Sequence, residues 1–115
     1  MRISEHVFLV TMALFLAVSS AMAKAETWVR VVDNPGGNTT YVDVDTDSIR
    51  KDPDGLVYYT ESSDWGTETN AFDCQKRLKY SVDYWKRLGK DWKAHPLEIS
   101  GITVDIANFV CGRVG

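Results

Sequence analysis

"YVDVDTDSIRKDPDGLVYYT", residues 41–60, contains two candidate strands separated by a turn signal. Val42 and Val44 alternate with polar residues, which is typical of a strand with one apolar face. Asp54-Gly55 is a strong turn signal, and the β-branched and aromatic residues 56–60 follow it directly. The stretch therefore predicts two strands of an antiparallel sheet.

The same stretch raises the question of a calcium loop. Asp43, Asp45 and Asp47 occupy positions 1, 3 and 5 of such a loop, and Asp54 occupies position 12. Position 6 is Ser48, where the loop requires glycine for its sharp turn. A strand, not a helix, precedes these residues. The pattern favours a solvated strand face followed by a turn over a weak surface cation site.

Further strands are predicted on both sides of this stretch. Residues 27–32 form a first β-branched strand, and the polar stretch 62–70 is predicted as a loop or a bulged edge. Residues 77–84 alternate apolar and polar side chains, which predicts a long strand with one buried face. Gly89-Lys90 is predicted as a tight turn into a return strand over residues 91–94, so that residues 76–93 form a hairpin.

The end of the chain has helical periodicity. Ile102, Ile106, Phe109 and Val110 recur at i, i+4, i+7 and i+8, which places them on one apolar face. Ser100 is a candidate N-cap and Gly112 a candidate stop. We therefore predict a C-terminal helix lying on the sheet.

The two cysteines, Cys74 and Cys111, favour one structural disulfide over a redox or metal site, because no C-x-x-C motif or neighbouring histidine accompanies them. Loop-closure entropy predicts that this bridge adds about 4 kcal/mol of stability. The predicted fold class is α+β: an antiparallel sheet of about five to six strands with one C-terminal helix packed on it, tied by the disulfide.

The first residues have the layout of a secretory signal peptide. An apolar run over residues 7–18 follows a short positive start, and the small residues Ala21 and Ala23 come after it. The run is shorter than the ~20 residues that a spanning helix needs, which favours cleavage over a membrane anchor. We predict a signal peptide over residues 1–23, cleaved after Ala23 or Ala25, and a single domain over residues 26–115. The expected location is periplasmic, secreted or cell surface, and no cysteine near the cleavage site suggests a lipid anchor.

Catalytic motifs are sparse in the predicted mature chain. His95 is its one histidine, and no nucleophile motif or glycine-rich phosphate loop is present. A zinc site built from one histidine and two paired cysteines is disfavoured. The sequence therefore predicts a protein that is not an enzyme, with no catalytic residue, metal or cofactor.

Charge divides the chain into two parts. Residues 26–73 carry eleven acidic and three basic residues, a net charge of −8, whereas residues 74–115 carry eight basic and four acidic residues, a net charge of +4. Basic and aromatic residues alternate in the predicted hairpin. The candidate partner-binding residues are Lys76, Arg77, Lys79, Trp85, Lys86, Arg87, Lys90, Trp92 and Lys93, together with Trp65 in the polar stretch. They form either the solvated outer face of a hairpin or a face that binds an anionic glycan, and no nucleic acid is expected.

Several segments in a fixed order carry a family resemblance. They are the tryptophan-led strand over residues 28–32, "YVDVDTDSI" over residues 41–49, Gly55, Asp73-Cys74, Trp92, Pro96 and the helix that ends in Cys111. With these segments the chain resembles the surface-adhesin protein E-like family of small exported bacterial domains. The resemblance implies a sheet-plus-helix fold with the Cys74–Cys111 bridge, a turn over residues 45–49 with Ile49 facing inward, binding of host matrix or serum proteins, and a homodimer.

Three functional hypotheses follow from the sequence. The leading hypothesis is a non-enzymatic, exported bacterial binding module related to the surface adhesins. The second is a small periplasmic accessory or structural protein of the envelope with no host ligand. The third is an anion-binding module that uses the basic aromatic segment.

Overall fold

The computed structural model of this chain describes residues 27–114, so the predicted signal peptide and its cleavage site lie outside the described residues. These residues form an antiparallel sheet covered by a C-terminal helix, which confirms the predicted α+β fold. The strands are β1 (Trp28–Asp33), β2 (Tyr41–Lys51), β3 (Val57–Ser63), β4 (Gly66–Asp73), β5 (Leu78–Tyr80) and β6 (Leu97–Glu98). The helices are α1 (Val82–Arg87), a short 3-10 helix (Trp92–Ala94) and α2 (Thr103–Val114).

The six strands follow one another across the sheet in chain order, each antiparallel to its neighbours. The predicted turn between β2 and β3 is present. The Gly55 N–H donates to the Asp52 carbonyl oxygen at 2.9 Å, and Gly55 has a φ of +86°, a conformation that glycine adopts without steric cost.

Residues 62–70 were predicted as a loop or bulged edge, and this prediction is wrong. They form most of a tight hairpin, in which Ser63 pairs with Gly66 and β4 lies between β3 and β5. The polar composition suggested a loop because the upper halves of β3 and β4 extend beyond the hydrophobic core. Their backbone groups are nevertheless paired, and pairing does not require apolar side chains.

The aspartate stretch lies on a strand that runs through to Lys51, so the turn over residues 45–49 that the resemblance implied is also wrong. The pairing register shifts between Asp45 and Arg50, which marks an irregularity in β2. Ser48 repairs the ladder there: its hydroxyl donates to the Asp45 carbonyl oxygen at 2.6 Å and accepts from the Thr60 N–H at 2.8 Å. Ile49 does pack against the core, as the resemblance implied.

Helix α2 covers the lower half of one sheet face. Its buried residues Ile106, Ala107 and Val110 pack on valines and aromatics of the first four strands. The sheet residues of this core are Val32, Val42, Val44, Val57, Tyr59 and Phe72. The helix begins later than the predicted cap at Ser100, because Gly101 adopts a φ of +58° before it. It also continues through the predicted stop at Gly112 to Val114.

The predicted disulfide between Cys74 and Cys111 is confirmed, with 6.0 Å between the two Cα atoms. Cys74 lies in the turn after β4, and Cys111 lies in the last part of α2. The bridge therefore fastens the C-terminal half of the helix to the lower end of the sheet. None of the helices within residues 27–114 has the length and hydropathy needed to cross a membrane.

The predicted long strand over residues 77–84 is wrong beyond Tyr80, because residues 82–87 form α1. Strand β5 is short and covers only residues 71–73 of β4. The upper part of β4 therefore has no strand on that side. Helix α1 covers this open edge, and the Asp83 carboxylate accepts the Thr69 backbone N–H at 2.7 Å. A short alternation of apolar residues does not distinguish a strand from one turn and a half of helix, and tertiary contacts decide between them here.

The predicted return strand over residues 91–94 is a 3-10 helix, capped by the Asp91 side chain, which accepts the Lys93 N–H at 3.1 Å. Residues 76–93 are therefore not a hairpin. On the sheet face opposite α2, Val82 of α1 and Trp92 of the 3-10 helix pack against a second small core. Its other members are Leu56, Tyr58, Ala71 and Tyr80.

Candidate functional site: a polar groove beside the C-terminal helix

A groove of about 540 Å³ opens on the α2 side of the sheet, next to the first turn of α2. Strand pairing explains its polar floor. The cross-strand pairs Val57–Phe72, Tyr59–Asn70 and Glu61–Glu68 all point to the same side of the sheet. The first pair lies in the apolar core, and the last pair is charged. The polar and aromatic residues that line the groove include Glu61, Trp65, Glu68, Asn70, Lys79 and Arg87.

The floor of the groove is a small hydrogen-bond network centred on Glu61. Its Oε1 accepts the Tyr59 hydroxyl at 2.8 Å and the Asn70 Nδ2 at 2.8 Å. Asn70 is only 3% exposed, and its Oδ1 has no hydrogen-bond partner among the described residues. A buried acceptor without a partner lowers the stability of the fold by about 1–3 kcal/mol. Most buried polar groups are hydrogen-bonded, so Asn70 Oδ1 is an exception.

Glu61 and Glu68 lie directly opposite each other on β3 and β4. Like charges in this arrangement destabilise a sheet unless other groups compensate them. Arg87 of α1 supplies the compensation through an ion pair, with 2.6 Å between Nη2 and the Glu68 Oε1. The hydrogen bond that Arg87 donates to Glu68 raises the pKa of Arg87 above its ordinary value, which keeps the guanidinium charged. Helix α1 thereby forms one wall of the groove as well as covering the edge of β4.

Trp65 stands at the mouth of the groove, on the two-residue turn of the β3–β4 hairpin. Its side chain is 74% exposed, yet its indole Nε1 donates to the Thr39 Oγ1 at 3.3 Å. The neighbouring Asp64 accepts the Thr40 hydroxyl at 2.7 Å and the Thr40 backbone N–H, and these bonds lower the pKa of Asp64. The β1–β2 loop therefore holds the turn and fixes the orientation of an exposed indole.

The candidate partner-binding residues do not form one face. Trp65, Lys79 and Arg87 line the groove. Lys76 and Arg77 lie in the exposed turn after β4, and Lys86 and Lys90 are exposed on and after α1. The Lys93 ammonium lies 3.8 Å from the Asp54 carboxylate. The prediction of a single basic face on a hairpin is therefore wrong. The segment folds into two short helices, which direct its basic side chains to different places.

The other two candidate tryptophans have packing roles. Trp92 contacts Tyr58 and Tyr80 edge to face, with ring centroids 6.0 Å and 5.7 Å apart. Trp85 stacks on His95 at 3.9 Å between centroids. These contacts fasten α1 and the 3-10 helix to the sheet and to the following segment, and they account for both residues without a ligand.

Glu61, Glu68 and Asn70 are not among the residues that the sequence singled out. Their signal was present in the alternation, since Tyr59 and Glu61 share one side of β3, as do Phe72, Asn70 and Glu68 on β4. A strand face that changes from apolar to polar part-way along its length indicates where the covering helix ends. The polar composition of residues 62–70 instead predicts a loop, which conceals the alternation along β4.

The groove has the chemistry of a recognition site. It presents acceptors, donors, hydroxyl groups and an exposed aromatic ring within one concavity. Both carboxylates already accept hydrogen bonds from neighbouring side chains. Within residues 27–114, no group of three histidine, cysteine, aspartate or glutamate side chains is arranged to hold a metal ion. Two of the three aspartates of β2 bind protein groups: Asp43 pairs with Arg30 at 2.6 Å, and Asp45 accepts the Thr27 hydroxyl at 2.6 Å.

Two adjacent tyrosines are expected to ionise late in an alkaline titration. Burial, followed by the hydrogen bond to Asp54, raises the pKa of Tyr58 to about 12, and burial raises the pKa of Tyr59 well above its ordinary value. Because the folded-state pKa of Tyr58 is raised, the stabilisation from its neutral phenol is complete below about pH 10 and is lost as the pH rises through about 12.

The tyrosinate absorbance, followed in native protein and in urea, measures this difference. We expect part of the native signal to appear later than the signal of the unfolded chain, and Tyr58→Phe to remove the component near pH 12. Superimposable native and urea titration curves would contradict the expectation.

Comparisons with protein-family models, curated proteins and solved structures found no match to this chain.

Proposed function

We propose that this protein is a non-enzymatic, exported binding module that holds its ligand in the groove between α1, α2 and the β3–β4 hairpin. The observation that carries the proposal is Trp65, a large aromatic side chain that is mostly exposed but held in one orientation by Thr39. Tryptophan is enriched among the residues that dominate binding energy, and a fixed ring loses little conformational entropy on binding. The resemblance to the surface-adhesin protein E-like family supports the same function.

Export is supported by the predicted signal peptide and by the disulfide, which is typical of proteins from oxidising compartments. The absence of catalysis is supported by the state of the two groove carboxylates. Glu61 accepts hydrogen bonds from Tyr59 and Asn70, and Glu68 is paired with Arg87, so both carboxylates are already engaged by protein groups.

The adhesive form of this function is tested with immobilised fibronectin and collagen on a sensor surface. We expect saturable binding of the disulfide-bonded protein, weakened at least tenfold by Trp65→Ala. Removing an exposed side chain leaves the fold intact, which circular dichroism checks. Lys86→Ala is the matched control, because Lys86 is exposed on α1 but does not line the groove.

Equal binding by the wild-type protein and Trp65→Ala would place the ligand outside the groove. The absence of saturable binding by the wild-type protein would contradict an adhesive role and favour the envelope accessory hypothesis.

A further inference from the structure

The charge of the groove limits what it can bind. Four charged side chains line it, the carboxylates of Glu61 and Glu68 and the cations of Lys79 and Arg87, so its formal charge is zero. One of the cations is already committed, because Arg87 pairs with Glu68. An anionic ligand such as a sulfated glycan requires an excess of positive charge, which the groove lacks. A neutral ligand matches it better.

The polar groups of the groove call for a ligand with many hydroxyl groups. Glu61 offers a carboxylate acceptor and Lys79 a donor, while Ser63 and Thr103 add hydroxyls that both donate and accept. Beneath them Asn70 holds an acceptor, Oδ1, that has no partner within the described residues. That oxygen is closed to water in this structure, so a donor reaches it only after a small shift of the side chains above it. A ligand hydroxyl that made this contact would satisfy the acceptor.

The aromatic residues supply the second element of such a site. Trp65 is 74% exposed at one side of the groove, and Tyr84 of α1 is 48% exposed at another. The flat, apolar C–H face of a sugar ring packs on an indole face, while its equatorial hydroxyls point sideways to hydrogen-bonding groups. The volume of about 540 Å³ falls within the range of small-molecule sites, roughly 300–1,000 Å³.

We propose that the groove binds a neutral saccharide, with a sugar ring on Trp65 and its hydroxyl groups hydrogen-bonded to Glu61, Lys79 and Asn70. This inference rests on the proposed function, since it names the ligand class of the same site. The glycan part of a glycoprotein and a free oligosaccharide present the same chemistry to these residues.

Nuclear magnetic resonance of the ¹⁵N-labelled, disulfide-bonded protein tests the inference. Maltotriose, cellotriose and tri-N-acetylchitotriose are titrated separately, with a heparin-derived hexasaccharide as the anionic comparison. The chain has four tryptophans, so four indole N–H signals report on the titration. We expect at least one neutral trisaccharide to shift the Trp65 indole signal and the backbone signals of Glu61 and Asn70, with saturation at a dissociation constant of about 1 mM or lower.

Variants of groove residues sharpen the test, with Lys86→Ala as the control. Trp65→Ala should weaken the saccharide at least tenfold, whereas Lys86→Ala should leave its affinity unchanged. Asn70→Asp places a carboxylate beside Glu61 and should also weaken binding. If Asn70→Asp fails to fold, Glu61→Gln serves in its place, because it keeps the shape and one acceptor and removes the charge.

The outcomes separate the ligand class from the proposed function. Shifts confined to the groove with a neutral saccharide support the inference. Groove shifts with the heparin fragment alone, or no saturable shift with any of the three neutral trisaccharides, overturn it. Binding to matrix proteins that depends on Trp65 would leave the proposed function standing in either case. Hydrolysis of a bound trisaccharide would support the ligand class but contradict a non-enzymatic function.

Discussion

Replacing Cys74 and Cys111 together with alanine is expected to lower the free energy of unfolding by about 4 kcal/mol. The bridge joins residues 37 positions apart, and closing a loop of that length removes much of the entropy of the unfolded chain. The loop contains β5, both short helices, β6 and most of α2. The loss is large against the roughly 5–15 kcal/mol that stabilise a small domain. Urea unfolding followed by tryptophan fluorescence measures it.

Reductant provides the matched control for this prediction. It should lower the urea midpoint of the wild-type protein to near that of the double variant, and it should leave the variant unchanged. Coincident midpoints for oxidised and reduced wild-type protein would show that the bridge contributes little, and that the packing of Ile106, Ala107 and Val110 alone holds α2 on the sheet.

Phe72→Ala is expected to cost about 3–5 kcal/mol. Phe72 is fully buried on β4, and its ring stacks on Tyr59 with centroids 5.0 Å apart and planes within 6°. Removing the ring loses its transfer free energy and leaves a cavity beneath α2, which neighbours within a close-packed core fill only in part. The same urea experiment provides the measurement.

Phe109→Ala is the comparison within the same core. Phe109 packs at the edge of the core, and the Arg113 guanidinium lies 4.6 Å above its ring, so it is only partly buried. We expect its truncation to cost less than half of the loss at Phe72. Similar losses at the two positions would contradict the expectation that the more deeply buried ring costs more to remove.

The sequence was sufficient for the fold class, the disulfide and the C-terminal helix. These features depend on strong local signals: alternation in β2, the Asp54-Gly55 turn, and helical periodicity that ends in Cys111. These predictions are correct because the apolar face that each local pattern predicts is the face that is buried in the folded protein.

The second half of the sheet was less predictable for physical reasons. Leu78, Tyr80 and Val82 alternate, yet the strand stops at Tyr80, because residues 82–87 are needed as a helix over the open edge of β4. Conversely, residues 66–70 look like a loop because the side chains of Glu68 and Asn70, on the α2 side of β4, are polar and line a groove instead of the apolar core. The groove lies between these two segments, whose secondary structure was predicted wrongly. Of its lining residues, the sequence therefore pointed only to Trp65, Lys79 and Arg87.

Strands β3 and β4 each carry two kinds of surface on one side. Their lower residues, Val57, Tyr59 and Phe72, lie in the core beside α2, and their upper residues, Glu61 and Glu68, form the groove floor. Substitutions in the upper residues change the polar lining of the groove without removing buried apolar area. Under the proposed function, point mutations there can change the ligand preference of descendants of this chain while the apolar core beside α2 is retained.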